Sequence, residues 1–540
     1  MRGWCRRVLR VSEGFVFASV IACLLTACGR PEFPQPAAPL SVLHRGLGGE
    51  PGSLDPAHAV DTYSFTVLDD LYEGLTSLGP DGAVVPGVAE TWSVSPDGLV
   101  YTFKLRATAK WSNGNKVRAQ DFVTAWRQVV DPKQGSPQAD VLRVIAGTRD
   151  IRAGRATPES LQVVAPSDDE LIVHLESPAV YFPEVLSHSA AFPVYADGAP
   201  ATHSAVNWIS NGPFVLASWT PGGSLKLNKN RNYWDQNHVA LDAVEYVPAL
   251  DEATEWTRYR AGALDLTESV PANAIESIRA ERPSELHVSP LLATAYYAFN
   301  LHKTPFKESR DLREALAMAI DRQVILKTIL PFGQRAAYGF VAEGIANYTP
   351  QSWDWKGTSD EARITQAKAL YARAGYSAAH PLHLSLLYNA NSNIRQLAIA
   401  TAEMWSRTLG VETTLTDEEY RVFLESRHDP KRYDIVRLGW SADYNDAQSF
   451  LDTLRSGAAN NDGGYSSPKY DDLLSRAEQT ANPVARRALL EEAEWVMLAD
   501  YPIAPIFFLS IKRMVKPYVK GVAGNPENRL YSKYLSIVPH

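Results

Sequence analysis

Apolar positions along this chain keep two spacings in turn. At 64–75, Phe65, Leu68, Leu71 and Tyr72 recur at three- and four-residue steps, which predicts a helix. The step becomes two at 100–105, a strand pattern, and returns to helical at 119–130, where Pro132 sets a stop. Two strand-like runs, 161–164 and 170–175, flank Pro166-Ser-Asp-Asp, and 215–227 reads as a hairpin turned at Pro221-Gly-Gly. Further on, 311–329 carries Leu312, Leu316, Ala319 and Ile320 on one side of a predicted helix capped by Ser309. Another helix at 395–409 places Leu397, Thr401, Met404, Trp405 and Thr408 together and stops at Gly410. Strand-like runs follow at 411–415 and 433–438. Ser467-Pro468 then opens a helix with proline at its first position and Asp471 and Asp472 in its first turn. The pattern is mixed α/β throughout.

The first residues follow neither spacing. Arg2, Arg6, Arg7 and Arg10 precede an apolar stretch, 15–25, that is too short to span a bilayer. It ends in Leu25-Thr26-Ala27-Cys28-Gly29, which resembles the bacterial lipobox; a signal segment with a chance cysteine would look similar. The expectation is a signal peptide at 1–27, lipidation of Cys28 (palmitate included) as a membrane anchor, and a linker at 28–39. Several acyl chains would hold firmly where one would not. The three cysteines, Cys5, Cys23 and Cys28, all fall in this region, so the processed chain has no disulfide, thiol nucleophile or cysteine metal site. Localisation is expected to be extracytoplasmic, periplasmic or at the cell surface.

Composition narrows the function classes. The net charge of −8 becomes −11 once residues 1–27, with four arginines and one glutamate, are removed. A mildly acidic chain argues against nucleic acid as partner. A length of 540 residues predicts two or three domains. Aromatics make up 10%, and they count first as core mass.

Enzyme signatures find little support. Gly46-Leu-Gly-Gly-Glu-Pro-Gly52 fits neither G-x-G-x-x-G nor a phosphate loop. Ser466-Ser-Pro-Lys469 has the S-x-x-K form, but the helix start explains it and Lys356-Gly-Thr is not K-T-G. No G-x-S-x-G or H-E-x-x-H occurs, and the 12 histidines do not cluster as metal ligands. No cofactor, metal or catalytic residue is expected. Asp443, in Gly439-Trp-Ser-Ala-Asp-Tyr-Asn-Asp446, remains open as an enzyme's acid, a metal ligand, a counter-ion, or the cap of a loop or helix near Ser449.

Several motifs in order carry a resemblance. They are Leu54-Asp-Pro56, Tyr72-Glu-Gly-Leu75, Pro86-Gly-Val-Ala-Glu-Thr-Trp92, Tyr101-Thr-Phe-Lys-Leu-Arg106, Lys110-Trp-Ser-Asn-Gly114 and Asp121-Phe-Val with Trp126. Asn211-Gly-Pro-Phe214, Asn232-Tyr-Trp-Asp235, Tyr259-Arg-Ala-Gly262, Ala319-Ile-Asp-Arg322 and Tyr465-Ser-Ser-Pro-Lys-Tyr-Asp471 follow. Together they resemble the peptide/nickel-binding family (family 5) of solute-binding proteins for ABC importers, oligopeptide-binding branch.

The resemblance implies a two-lobed periplasmic-binding-protein fold (class II-like) with an extra third domain. The N-terminal lobe would use 40–72, 198–290 and 508–540, the extra domain 73–197 and the C-terminal lobe 291–507, with a hinge near 290 and 508. It implies that Asp443 pairs with a peptide's α-ammonium, that Trp440, Ser441, Tyr444 and Tyr420 line the ligand site, and that Arg427 and Arg437 receive its carboxylate. Taken by themselves, those arginines could equally form surface ion pairs with Asp434 or Asp429. The implied partners are short peptides and an importer permease and ATPase, with a monomeric protein. The chain departs from relatives at Ile394, where a histidine is used, at Tyr420 for tryptophan, at Phe507-Phe-Leu509 for tyrosines, and at Val60 for an acid. Ser441 and Ala293 replace a disulfide pair. These departures keep a murein peptide, a metal chelate or another small solute open as ligand, and a non-transport receptor open as role. A hydrolase using Asp443 with Asp446 is disfavoured, because two acids three apart on one loop cannot flank a scissile bond.

Overall fold

Three larger sheets organise the computed structural model, which describes residues 40–195, 208–249, 251–330, 333–345 and 347–539. The expected leader, Cys28 and the linker lie outside these residues. One four-stranded sheet runs in the order Val42–Leu47, Ala243–Pro248, Leu225–Lys229, Phe214–Trp219, and its first pair is parallel. A second, antiparallel, orders Ala89–Val94, Val100–Leu105, Glu170–His174 and Val163–Ser167. The third has six strands: Arg335–Ala336, Ile503–Met514, Leu286–Phe299, Ile435–Ser441, His383–Asn389, Glu412–Glu418.

Local sequence accounts for many of these elements. Val100–Leu105 turns Tyr101, Phe103 and Leu105 inward and Lys104 outward. Helix Ala119–Val130 buries Phe122, Trp126 and Val130 on one face. Asp121 closes its first turn by accepting from the Arg118 N–H at 2.9 Å and the Trp111 indole at 3.0 Å. Ser309 accepts from Leu312 N–H, Ser467 from Tyr470 N–H, and Gly410 ends its helix at φ 78°, where a glycine is unstrained.

Apolar side chains gather in two clusters. One joins residues 43–266 with 515–535 and includes Phe103, Trp111 and Trp126. The other joins 259–514 and includes Tyr297, Phe340, Trp405 and Phe450. The segment 73–197 thus has its own sheet while sharing a core with its flanking segments. Two long strands, Leu286–Phe299 and Ile503–Met514, pair side by side, with a register shift between Pro290 and Thr294.

Some elements differ from expectation. The helix expected at 64–75 is Thr62–Leu71, capped by Asp61, and Tyr72 is already extended. The chain then passes so close to Leu186 that a Cβ on Gly74 would lie 2.1 Å from its carbonyl oxygen. The single helix expected at 311–329 is two, Arg310–Ala319 and Arg322–Thr328, with Ile320 extended between them. Asp321 caps the second, and the buried Arg322 guanidinium donates to carbonyls of Ala317, Ile320, Ala337 and Pro505. Across the break the guanidinium reaches both the end of the first helix and backbone remote in sequence.

Candidate functional site

The strand Ile435–Ser441 lies antiparallel to Leu286–Phe299, with Arg437 opposite Tyr297, Trp440 opposite Thr294 and Ser441 opposite Ala293. Ser441 and Ala293, which the resemblance matched to a disulfide pair, are therefore direct neighbours here. On its other side the strand pairs with His383–Asn389 at Ile435 and Val436 alone. From Arg437 to Ser441 that edge has no strand beside it among the described residues. Ala442 N–H donates to Leu292 O at 2.8 Å, which sets the alternation. Leu438 and Trp440 share that phase, so Gly439 and Ser441 turn their backbone groups toward the open edge. Both are exposed, and a Cβ on Gly439 would meet only Thr294 O at 3.7 Å. An unpaired edge of this kind is a template for one more strand.

Asp443 stands just past the end of this edge. Its backbone N–H donates to Ser449 Oγ at 2.8 Å, so serine caps aspartate rather than the reverse. The Asp443 side chain is exposed, yet surrounding protein pushes its carboxyl above the usual range, with Arg143 opposing. Nearby, Arg486 holds Asp446 at 2.6 and 2.9 Å, and Arg455 holds Asp452 at 3.0 Å and Glu478 at 2.7 Å. Arg143 approaches Asp452 at 3.5 Å. With Asp443, four carboxylates face three guanidiniums, a surplus of one negative charge.

Tyr444 is buried, and its ring stacks on Tyr181 with centroids 4.3 Å apart. Alone among residues 291–507, it belongs to the first apolar cluster. Asn445 N–H donates to Glu184 beside it. Tyr444 therefore joins segment 73–197 to the Asp443 loop, a contact that nothing in the local pattern announces.

Glu184 also sets a pH dependence. Burial first, then Glu527 and Asp446, push its carboxyl to about 9, and Glu527 itself lies at about 7. A carboxyl whose folded pKa is raised contributes stability below its unfolded value, lost as pH rises through the folded one. The thermal midpoint is expected to fall between pH 6.5 and 9, and to fall less in Glu184→Gln. His188, lowered to about 3 by burial, acts with opposite sign but is neutral in both states above pH 6.5. Parallel curves for the two proteins would refute the assignment.

The opposite end of the edge is basic. Arg437 is desolvated, which pulls its pKa down, and it forms no ion pair among the described residues. The surface pair with Asp434 does not form, because Asp434 binds Lys303 at 3.0 Å and accepts from Ser385 N–H and Oγ–H, both at 2.8 Å. Asp429 accepts from Lys431 N–H instead. Arg427 reaches Asp462 at 3.8 Å, a carboxylate shared with His428 at 2.6 Å, and donates to Asn460 at 3.4 Å. Arg427, Arg437 and Asp462 all act on the Tyr296 hydroxyl, Asp462 raising its pKa and the two arginines lowering it. The Arg437 Nε, the Trp440 indole N–H and the Tyr444 hydroxyl are buried with no hydrogen-bond partner among the described residues, and buried polar groups are seldom left so. Tyr420 is 56% exposed at the start of helix Tyr420–Ser426, and Val60 is 62% exposed. Sequence reasoning missed Arg143, Tyr181, Glu184 and Asp462, which come from remote segments with no motif of their own.

Sheet-built lobes linked by two long strands, with an added four-stranded domain, make this the two-lobed periplasmic-binding-protein type. The chain belongs to the bacterial extracellular solute-binding proteins of family 5, whose middle region matches residues 83–462. It is 37% identical over 505 residues to the periplasmic murein peptide-binding protein MppA of Escherichia coli (strain K12), covering 92% of this chain and 93% of the relative. It is 35% identical over 542 residues to the periplasmic oligopeptide-binding protein OppA of the same strain, covering 98% and 99%. The solved unliganded open form of the MppA murein tripeptide-binding protein superposes with a TM-score of 0.84 at 36% identity, covering 93% of this chain and 98% of that one.

Proposed function

We propose that this protein captures short peptides at the Arg437–Ser441 edge and delivers them to the permease and ATPase of an ABC importer. The observation that carries this reading is Asp443, a carboxylate that forms no direct ion pair among the described residues, at one end of an open edge, opposed at the other by Arg437, which forms none among them either. A peptide lying antiparallel to the strand would put its ammonium at Asp443 and its carboxylate at Arg437. Its amides would bond the backbone of Gly439 and Ser441, which recognises any side-chain sequence. Four strand steps separate Arg437 from Ser441, about 13 Å, which suits an extended peptide of about three to five residues. Leaving either charge buried and unpaired costs several kcal/mol, so the ends set register.

The protein acts as a binding protein and not an enzyme, as a monomer tethered by acyl chains on Cys28 outside the cytoplasmic membrane. Residues 40–72, 198–290 and 508–540 form one lobe, 73–197 the extra domain and 291–507 the other lobe. A transport receptor must release its ligand, so an affinity near micromolar, about −8 kcal/mol, is expected. A murein peptide fits the same edge, because it too carries an ammonium and carboxylates.

Native mass spectrometry of the folded, unlipidated protein as purified tests the reading, followed by calorimetry with a tripeptide and its N-acetyl and C-amide forms. A ladder of small peptides, and binding lost on acetylation, would support it. A single bound mass that is not a peptide, or indifference to acetylation, would overturn it.

A further inference from the structure

We propose that Arg143 reads the charge of the ligand's first side chain, favouring acidic over neutral over cationic residues beside the ammonium. This rests on the peptide reading above. Arg143 follows the turn Ala139–Leu142 of segment 73–197, whose chain lies remote from the Asp443 loop in sequence. Three contacts bring the two together: the Tyr181–Tyr444 stack at 4.3 Å, the Asn445 N–H donated to Glu184, and Arg143 itself at 3.5 Å from Asp452. At the head of the same turn, Gln138 Nε2 donates to Ala59 O at 2.9 Å and Ser136 Oγ to Ala57 O at 2.5 Å. The loop carrying Val60 is thereby drawn to this turn as well.

Arg143 is the least committed cation here. Asp452 already accepts from Arg455 at 3.0 Å and from Gln448 at 3.2 Å, while its separation from Arg143 is longer than a good hydrogen bond. The Arg143 side chain is 52% exposed, so the guanidinium is open to a further partner. Asp443 and Arg143 also act on each other, Arg143 holding the Asp443 carboxyl down against burial and Asp443 helping to keep the guanidinium charged. An ammonium on Asp443 balances the surplus carboxylate of the cluster. The first side chain leaves the carbon that bears that ammonium, so a charged tip lies within about 6 Å of it and within the Debye length of Arg143. An acid there gains a partner, whereas a second cation there is repelled.

Calorimetry with three tripeptides differing only in a first residue of glutamate, glutamine or lysine tests this, using the full soluble chain. The wild type is expected to bind the glutamate-first peptide about tenfold more tightly than the lysine-first one, with glutamine between and the spread shrinking in high salt. In Arg143→Gln the three should fall within about twofold, and in Arg143→Glu the order should invert. Thermal midpoints of the variants verify folding. A flat order in the wild type, or an order unchanged by Arg143→Gln, would overturn this inference while leaving the peptide reading intact. Failure of all three peptides to bind the wild type would overturn the peptide reading, and this inference with it.

Discussion

Asp443→Asn is expected to weaken binding of a free tripeptide by two orders of magnitude or more, about 3 kcal/mol. Removing one partner of a desolvated charge pair leaves the other buried and uncompensated. The empty variant should be no less stable than the wild type. Surrounding protein raises the Asp443 carboxyl although its side chain is exposed, so its ionised form is disfavoured until a ligand arrives. A raised carboxyl lends stability below its unfolded pKa and loses it as pH rises through the folded one, so amide in place of carboxylate relieves the fold at neutral pH. Binding has the opposite sign. Affinity should fall as acid protonates Asp443, beginning at a higher pH than for an ordinary aspartate. Calorimetry over pH 4–7, with thermal midpoints of both empty proteins, measures each part. Near-normal affinity in Asp443→Asn would remove the anchoring role.

Glu494→Gln is expected to produce the largest loss of stability, about 3 kcal/mol. Glu494 is fully buried on helix Pro483–Asp500. One oxygen accepts from the backbone N–H of Phe340 at 2.9 Å and Val341 at 2.8 Å. The other accepts from Gln351 N–H at 2.9 Å and the Tyr348 hydroxyl at 2.7 Å. An amide keeps one acceptor and turns its NH2 onto at least one backbone N–H: onto those of Phe340 and Val341, or onto that of Gln351 with the Tyr348 hydroxyl turned to accept; each unsatisfied buried donor costs roughly 1–3 kcal/mol. There is no slack for adjustment, because a Cβ on Gly339 would already lie 1.9 Å from Gln351 O. Urea unfolding should show a lower midpoint at an unchanged slope. An unaltered midpoint would mean that the Glu494 bonds do not hold this lobe.

Much of both the fold and the site could be read from the chain, for identifiable reasons. Helix 119–130 was legible to the residue because its apolar face, its Asp121 and the Pro132 stop are local. The strand expected at 433–438 was placed but its bounds were not: it starts at Ile435 and runs on through Gly439, Trp440 and Ser441, where glycine and serine dilute the apolar signal. That extension makes the open edge. Asp443 and Trp440 were singled out by a resemblance carried by an ordered set of motifs. Arg143 and Glu184 could not be, since their significance lies in meeting a loop some 260 to 300 positions away.

The sequence by itself determined where helices and strands occur, how Ser309, Ser467 and Gly410 bound them, and which family the chain resembles. These are matters of periodicity, capping and short motifs, each settled within a few turns of chain. Only the tertiary structure decided that Arg437 forms no ion pair among the described residues, because Lys303 and Ser385 take up Asp434 first. It likewise decided that one expected helix becomes two, with Arg322 at the second's start donating to carbonyls at 337 and 505. Which charges find partners depends on strand order and crossovers, and those long-range contacts leave no trace in local hydrophobic pattern.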